Sequence, residues 1–204
     1  MNFLIGPDVR NRVDAYVDNV DWDVMHFVQE IRLNDGSMLR LRKLRITDRE
    51  RLRAFFARCS EEALRFRFMS SIKGPSDSLL NYLSDVDGCR HVALIVTRGL
   101  GDSESIVAEG RYALDPQKDD DADLAFLVLD EMQRRGIATL LLSRLSEIAR
   151  RNGINCFSAD VLADNRPMLS LIRKTSHPRS RVISSGVIHF EIPLINLNSL
   201  PEAA

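Results

Sequence analysis

Residues 124–138 read LAFLVLDEMQRRGIA, and this stretch decides the fold. Its first half, residues 124–129, is an apolar run of strand length, and residues 139–151 after it have the spacing of an amphipathic helix. The turn between them is basic and contains Gly136, which allows close approach to the backbone. Because a helix N-terminus has unpaired N–H groups and the positive end of a dipole, this order predicts a bound pyrophosphate.

Composition and charge narrow the class of protein. The chain has 204 residues, is 45% hydrophobic and has a formal net charge of −1. This length favours one domain with a short extension, and near-neutral charge gives no electrostatic reason to expect a nucleic-acid partner. Residues 1–8 do not resemble a signal peptide, and no apolar stretch is long enough to span a bilayer. We therefore expect a cytoplasmic protein that binds neither nucleic acid nor membrane.

The cysteines predict neither a disulfide framework nor a metal site. Cys59, Cys89 and Cys156 are odd in number, far apart and without a C-x-x-C pair. This pattern is typical of a reducing compartment and argues against a zinc site. We expect no metal cofactor.

Further elements are predicted on both sides of the 124–138 stretch. Residues 28–33 and 38–44 flank a tight turn with Asp35-Gly36 and read as a β-hairpin. Thr47 to Glu50 reads as a capping box, and Ser60 as the cap of a second helix. The remaining predicted elements are a helical turn at 79–83, strands at 91–97, 105–114 and 157–162, a helix opened by Asn165-Arg166-Pro167, and one or two closing strands within 182–195.

Hairpins followed by a β-α-β-α order indicate an α/β (α+β) fold with a mixed, mostly antiparallel sheet flanked by helices. We expect an N-terminal extension at 1–27, one domain at 28–197 and a tail at 198–204. Apolar residues in the extension have the spacing of a short helix, which would pack on the domain or mediate association. A homodimer is one expectation from this pattern.

Two motifs in this order resemble those of the GNAT superfamily of N-acetyltransferases. Residues 128–138 resemble its acetyl-CoA motif, a strand followed by Q/R-x-x-G-x-G/A at a helix start. Residues 165–171 resemble its second motif, N-x-x-M/A-x-x-L, at the spacing of the family. Residues 35–48, 66–70 and 86–94 are similar to bacterial Pat-type protein-lysine acetyltransferases. The resemblance implies the GNAT fold.

The resemblance also implies acetyl-CoA as cosubstrate and the residues that would hold it. Main-chain groups of Phe126, Leu127 and Val128 would pair with the pantetheine amides at a strand edge. The pyrophosphate would lie on the turn formed by Gln133, Arg134, Arg135, Gly136, Ile137 and Ala138. Asn165 would contact the cofactor, cap a helix, or do both.

In this family an amine attacks the thioester directly, and a base is useful because a free lysine is almost fully protonated at neutral pH. Asp123 stands where Pat-type enzymes have a catalytic glutamate, which makes it the candidate general base. The alternative is that residues 118–123 form a solvated loop. His91 and His177 are further candidates, although a structural or surface role is favoured for both.

Two departures from the family pattern leave the acceptor and the activity open. Ile172 occupies the position of a tyrosine general acid, and Ser176-His177 replaces a Gly-Phe pair after the second motif. The resemblance to Pat-type enzymes favours a protein lysine as the acceptor, with a small amine or amino acid as the alternative. The third alternative is a non-catalytic domain that binds acetyl-CoA as a sensor or partner subunit.

Overall fold

The computed structural model describes residues 13–14, 27–114, 120–175, 178–184 and 186–194. Within these residues, nine strands form one sheet: β1 Val13–Asp14, β2 Val28–Leu33, β3 Met38–Lys43, β4 His91–Arg98, β5 Ser105–Leu114, β6 Asp121–Val128, β7 Cys156–Leu162, β8 Arg179–Ser184 and β9 Val187–Pro193. The α-helices are α1 Arg49–Ala57, α2 Glu61–Phe68, α3 Asp77–Ser84, α4 Ile137–Arg151 and α5 Arg166–Ile172. Short 3-10 turns lie at Ile46–Asp48, Gly101–Ser103 and Asp130–Met132.

The sheet is mixed and mostly antiparallel, as predicted. Its strand order is β1-β2-β3-β4-β5-β6-β7-β9-β8, and β6 with β7 is the parallel pair among the described strands. Helix α4 connects these two strands, because parallel neighbours need a crossover connection. The predicted order of hairpins followed by β-α-β is therefore present.

Strands β6 and β7 separate soon after they meet. Their register runs from Asp121 opposite Cys156 to Asp123 opposite Ser158, and no later pair joins them in the described part of the chain. On its other side, β6 stays paired with β5 as far as Val128. The second half of β6 therefore has one open edge, and a wedge widens from Asp123 toward the start of α4.

Helix α4 packs closely on one face of the sheet because β5 has a glycine beneath it. A Cβ added at Gly110 would lie 2.8 Å from the ring of Phe126 and 3.3 Å from Cβ of Leu141. The predicted apolar face of α4, which includes Leu145 and Ile148, is buried. Neighbouring residues in a strand point to opposite faces, so Glu109 and Arg111, on either side of Gly110, face away from α4.

The sequence prediction was wrong about the start of α1. The helix begins at Arg49, and the side chain of its N-cap residue Asp48 makes no capping bond. The Asp48 carboxylate instead accepts hydrogen bonds from the Arg45 N–H at 2.9 Å and from the Arg42 guanidinium at 2.6 and 2.8 Å. The carboxylate therefore caps the 3-10 turn Ile46–Asp48 and holds the buried Arg42 at the same time, and Thr47 lies inside that turn and not at the N-cap of α1. The Ser60 cap is confirmed, since its Oγ accepts from the Ala63 N–H at 3.2 Å.

Residues 120–123 also differ from one expectation. Strand β6 begins at Asp121, so Asp123 lies within a strand and not in a solvated loop.

The described helices include none with the length and apolar character needed to cross a membrane. The predicted extension at 1–27, apart from residues 13–14 and 27, and the tail at 198–204 lie outside the described residues.

Candidate functional site

The wedge between β6 and β7 is part of a cleft of about 670 Å³. Its walls come from β6, the turn before α4, one side of α2 and the segment that leads into α5. The cleft contains every predicted cofactor residue except Arg135: Phe126, Leu127, Val128, Gln133, Arg134, Gly136, Ile137, Ala138 and Asn165. The structure thus brings the two predicted motifs together on one cavity.

The turn before α4 presents a helix N-terminus to this cleft. Gly136 is the N-cap residue with φ 83° and ψ −4°, a left-handed conformation that favours glycine. Its carbonyl accepts the first intrahelical bond, from the Leu140 N–H at 3.0 Å, so the N–H groups of the first turn have no acceptor within the helix. No acidic residue lies in that turn. The dipole of this 15-residue helix is therefore not offset there by a carboxylate.

Two side chains hold the turn in this shape. Gln133 Nε2 donates to the Val128 carbonyl at 3.3 Å and to Asp130 Oδ1 at 3.0 Å, which ties the turn to the end of β6. Arg134 has φ 59°, a left-handed conformation that disfavours non-glycine residues by roughly 1–2 kcal/mol. Contacts with surrounding residues must hold the backbone in this unfavourable conformation.

Arg135 is directed away from the cleft. Its guanidinium forms an ion pair with Asp35 in the turn between β2 and β3. Hydrogen bonds from Ser37 and Arg135 lower the pKa of Asp35 to about 2. Arg135 therefore links the turn before α4 to a distant hairpin, and its position favours holding the turn over contacting a phosphate.

Asn165 caps α5 and also lines the cleft. Its Oδ1 accepts from the Met168 N–H at 3.1 Å, and Pro167 occupies an early helical position. Just before it, Asp164 forms an ion pair with Arg65 of α2 at 2.7 Å. This pair joins the α2 and α5 walls of the cleft.

Comparison with known proteins identifies the family to which this chain belongs. The family model described as Acetyltransferase (GNAT) family matches residues 50–176. The chain belongs to the GNAT acetyltransferase family. The matched region contains β6, the turn before α4 and the α5 cap, so the two motifs of this GNAT acetyltransferase lie within it.

Individual relatives of this GNAT acetyltransferase agree with the family model. Acetyltransferase PA5475 of Pseudomonas aeruginosa is 33% identical over 146 residues, which are 72% of this chain and 77% of that protein. Acetyltransferase Pat of Mycolicibacterium smegmatis is 30% identical over 172 residues, 84% of this chain and 50% of that protein. The chain thus spans about half the length of the second relative. The GNAT domain of S. lividans PAT superposes with a TM-score of 0.72 at 26% identity, over 87% of this chain and 99% of that domain.

The candidate base of this acetyltransferase, Asp123, lies at the narrow end of the wedge. It is exposed, is absent from the cleft wall, and accepts a hydrogen bond from Ser158 Oγ at 2.8 Å. The carboxylates that do line the cleft are those of Glu62, Asp130, Asp160 and Asp164. Of these, Glu62 makes no hydrogen bond or ion pair with any described residue. Sequence reasoning missed Glu62, because only the packing of α2 brings it to the cleft.

The other positions singled out by sequence do not reach the cleft. Ile172 is fully buried in the core, and residues 176–177 lie outside the described residues.

His91 stacks on Tyr82 with ring centroids 5.1 Å apart. Its Nδ1 contacts the Asp85 carbonyl at 2.8 Å, and its Nε2 contacts Arg111 Nη1 at 2.9 Å. Since Arg111 can only donate, His91 Nε2 accepts and Nδ1–H donates. The described residues contain no group of three His, Cys, Asp or Glu side chains suited to a metal.

The setting of His91 predicts a pH dependence of stability. Burial and the Arg111 charge lower the pKa of His91 below its ordinary value of 6.5. Protonation then favours the unfolded chain, so the stabilisation is complete above pH 6.5 and is lost as the pH falls through the lower folded pKa. We expect the melting temperature to fall less from about pH 7 to about pH 5 in His91→Gln than in the wild type. If thermal unfolding shows equal falls of the melting temperature in the two proteins, the lowered pKa of His91 is contradicted.

Proposed function

We propose that this GNAT acetyltransferase binds acetyl-CoA in the wedge between β6 and β7 and transfers its acetyl group to a protein lysine. The proposal rests on one observation. The edge of β6 that has no partner among the described strands leads directly to the N-terminus of α4, where an anion is favoured. The main chain of β6 lacks a strand partner beyond Asp123, and the wedge leads to the N-terminus of α4. An extended ligand with amides at one end and phosphates at the other fits both features.

Six of the predicted cofactor residues contact acetyl-CoA or close the cleft around it in this proposal. Pantetheine amides pair with the main chain of Phe126, Leu127 and Val128, where a strand partner is missing. The pyrophosphate accepts hydrogen bonds from the N–H groups of Ile137 and Ala138 in the first turn of α4. Asn165 closes the opposite wall. The thioester then lies toward the narrow end of the wedge.

The chemistry is a direct attack. The lysine nitrogen bonds to the acetyl carbonyl carbon, the C–S bond breaks, and coenzyme A leaves as a thiolate that takes a proton from solvent. Asp123 accepts the proton lost by the amine through a water molecule, since it lies at the narrow end but outside the cleft wall. The Ser158 hydroxyl fixes the orientation of the Asp123 carboxylate. The similarity of residues 35–48, 66–70 and 86–94 to Pat-type enzymes supports a protein lysine as acceptor.

The test is the release of free thiol from acetyl-CoA with lysine peptides and small amines, followed by mass-spectrometric mapping of acetylated lysines. We expect Asp123→Asn to lower kcat by roughly 10²- to 10⁴-fold at neutral pH, because general-base catalysis contributes about that much. Affinity for acetyl-CoA, measured by calorimetry, should not change.

Glu62→Gln is the matched control, since it removes a carboxylate that lies on the cleft wall. A larger loss in Glu62→Gln than in Asp123→Asn would transfer the role of base to Glu62. Tight binding of acetyl-CoA with background thiol release for every acceptor would instead indicate a non-catalytic binding domain.

A further inference from the structure

Arg67 is a cleft residue that the proposed chemistry does not use. It lies on α2 and lines the cleft beside Phe66. Its Nε is buried and makes no hydrogen bond. In the described ranges, no hydrogen bond or ion pair reaches its guanidinium, whose carbon lies 5.0 Å from the ring centroid of Phe68. A cationic side chain with five N–H donors therefore borders the cleft without an anionic partner.

The charged side chains closest to Arg67 do not neutralise it. Glu109, which attracts it, forms a buried ion pair with Arg111 through Oε1, and its buried Oε2 makes no hydrogen bond with a described residue. Arg111 Nη1 also donates to the Leu83 carbonyl at 3.0 Å and to His91. His91 acts there as an acceptor, and burial lowers its pKa, so it stays neutral. Within the group of Arg67, Arg111 and Glu109, two guanidinium groups thus share one carboxylate, which leaves this group with one excess positive charge.

An unbalanced charge of this kind is unfavourable for folding alone. Burial lowers the pKa of Arg67, with Glu109 acting in the opposite direction and Arg111 in the same direction. A guanidinium stays protonated in proteins, so the unfavourable energy is not relieved by loss of a proton. By contrast, Arg65 on the same helix has a carboxylate partner, Asp164. An anion that enters the cleft would therefore stabilise the charge of Arg67.

We propose that Arg67 binds a carboxylate group of the ligand that occupies this cleft. A planar guanidinium matches a carboxylate with two parallel hydrogen bonds, and the phosphates already have a binding site at the start of α4. The carboxylate has two possible sources: the acyl chain of a dicarboxylic acyl-CoA, or the α-carboxylate of a free amino-acid acceptor. The inference rests on the proposed function, because it assumes that an acyl-CoA binds in this cleft.

The first arm of the test compares acyl chains. Calorimetry on the full chain measures the dissociation constants of succinyl-CoA and butyryl-CoA, whose acyl groups differ in a terminal carboxylate. If the acyl chain carries the carboxylate, we expect succinyl-CoA to bind about tenfold or more tightly than butyryl-CoA. That preference should disappear in Arg67→Met and persist in Arg53→Met, an exposed arginine outside the cleft.

The second arm compares acceptors. With acetyl-CoA as donor, free amino acids and their amides are assayed in the wild type and in both variants. If the acceptor carries the carboxylate, the KM of the acid should lie about tenfold or more below that of the amide, and only Arg67→Met should remove the difference. Arg67→Met without ligand should melt at the same temperature as the wild type or higher, because an unpartnered charge has been removed.

A lack of carboxylate preference in both arms, or a preference that survives in Arg67→Met, would overturn the proposal. A fall in the melting temperature of Arg67→Met would also count against it, because it would show that Arg67 has a structural partner. Titration of the wild type with acetyl-CoA distinguishes a failure of the Arg67 proposal from a failure of the proposed function. Failure of that titration rejects the proposed function itself and this proposal with it.

Discussion

Gly136→Ala should weaken the binding of acetyl-CoA by roughly 10- to 100-fold, which corresponds to about 1.4–2.7 kcal/mol. Gly136 has φ 83°, and a Cβ at this backbone angle is unfavourable by about 1–2 kcal/mol. The turn relieves the strain by moving toward negative φ, which redirects the first N–H groups of α4. Each lost hydrogen bond to a charged phosphate is worth about 1.5–3 kcal/mol. Calorimetric titration with acetyl-CoA measures the effect.

Gly153→Ala is the matched control for this substitution. Gly153 lies just past the other end of α4, has φ 79°, and has no atom within 4 Å of an added Cβ. It should lose a similar amount of unfolding free energy and keep wild-type affinity for acetyl-CoA. Equal affinities of the two variants would mean that the N-terminus of α4 is not the pyrophosphate site.

Asp48→Ala should lower the free energy of unfolding by about 3 kcal/mol, and the melting temperature by roughly 6–12 °C for a chain of this length. Asp48 forms a two-bond ion pair with Arg42, and the two side chains are only 1% and 6% exposed. Its removal leaves Arg42 buried with Glu104 as its remaining carboxylate partner. Denaturant and thermal unfolding measure the loss.

Asp77→Ala is the control for burial. Asp77 also accepts hydrogen bonds from two arginines, Arg49 and Arg53, but its side chain is 72% exposed. Exposed pairs contribute about 0–1 kcal/mol, so this variant should melt within a few degrees of the wild type. Equal losses in both variants would show that burial does not decide the strength of these pairs.

The same ion pair has a consequence at acid pH. Burial alone would raise the pKa of Asp48, but hydrogen bonds from Arg42 and the Arg45 N–H lower it below its ordinary value of 3.8. The stabilisation is therefore present above pH 3.8 and is lost as the pH falls through the folded pKa. The difference in stability between the wild type and Asp48→Ala should shrink in that range.

Much of the fold follows from local patterns. Apolar runs of strand length predicted β4, β5 and β7 to within one residue at each end, and the Asp35-Gly36 turn predicted the hairpin of β2 and β3. Asn165 before Pro167 predicted the start of α5. These signals lie in residues close together in the chain, because turns and caps are formed by neighbours. The resemblance to the GNAT motifs then predicted which element holds the cofactor.

Contacts between distant residues could not be predicted in this way. Arg135 looked like a phosphate ligand in the sequence, yet its guanidinium pairs with Asp35, 100 residues earlier. Asp48 was part of the predicted capping box, but its carboxylate binds the buried Arg42, which also pairs with Glu104, 62 residues later in the chain than Arg42. In both cases the local pattern allowed several partners for one charged side chain. The neighbour that tertiary packing brought closest decided the outcome.

The sequence by itself determined a glycine-containing turn between a strand and a helix, since the residues from Leu124 to Ala138 contain all the local chemistry that such a turn requires. Only the tertiary structure decided that β6 has an open edge beyond Asp123 and that α2 faces it with Glu62 and Arg67. The physical reason is that strand pairing and helix packing depend on groups far apart in the chain. A cleft has no sequence pattern of its own, because it is the space that several separately encoded elements leave between them.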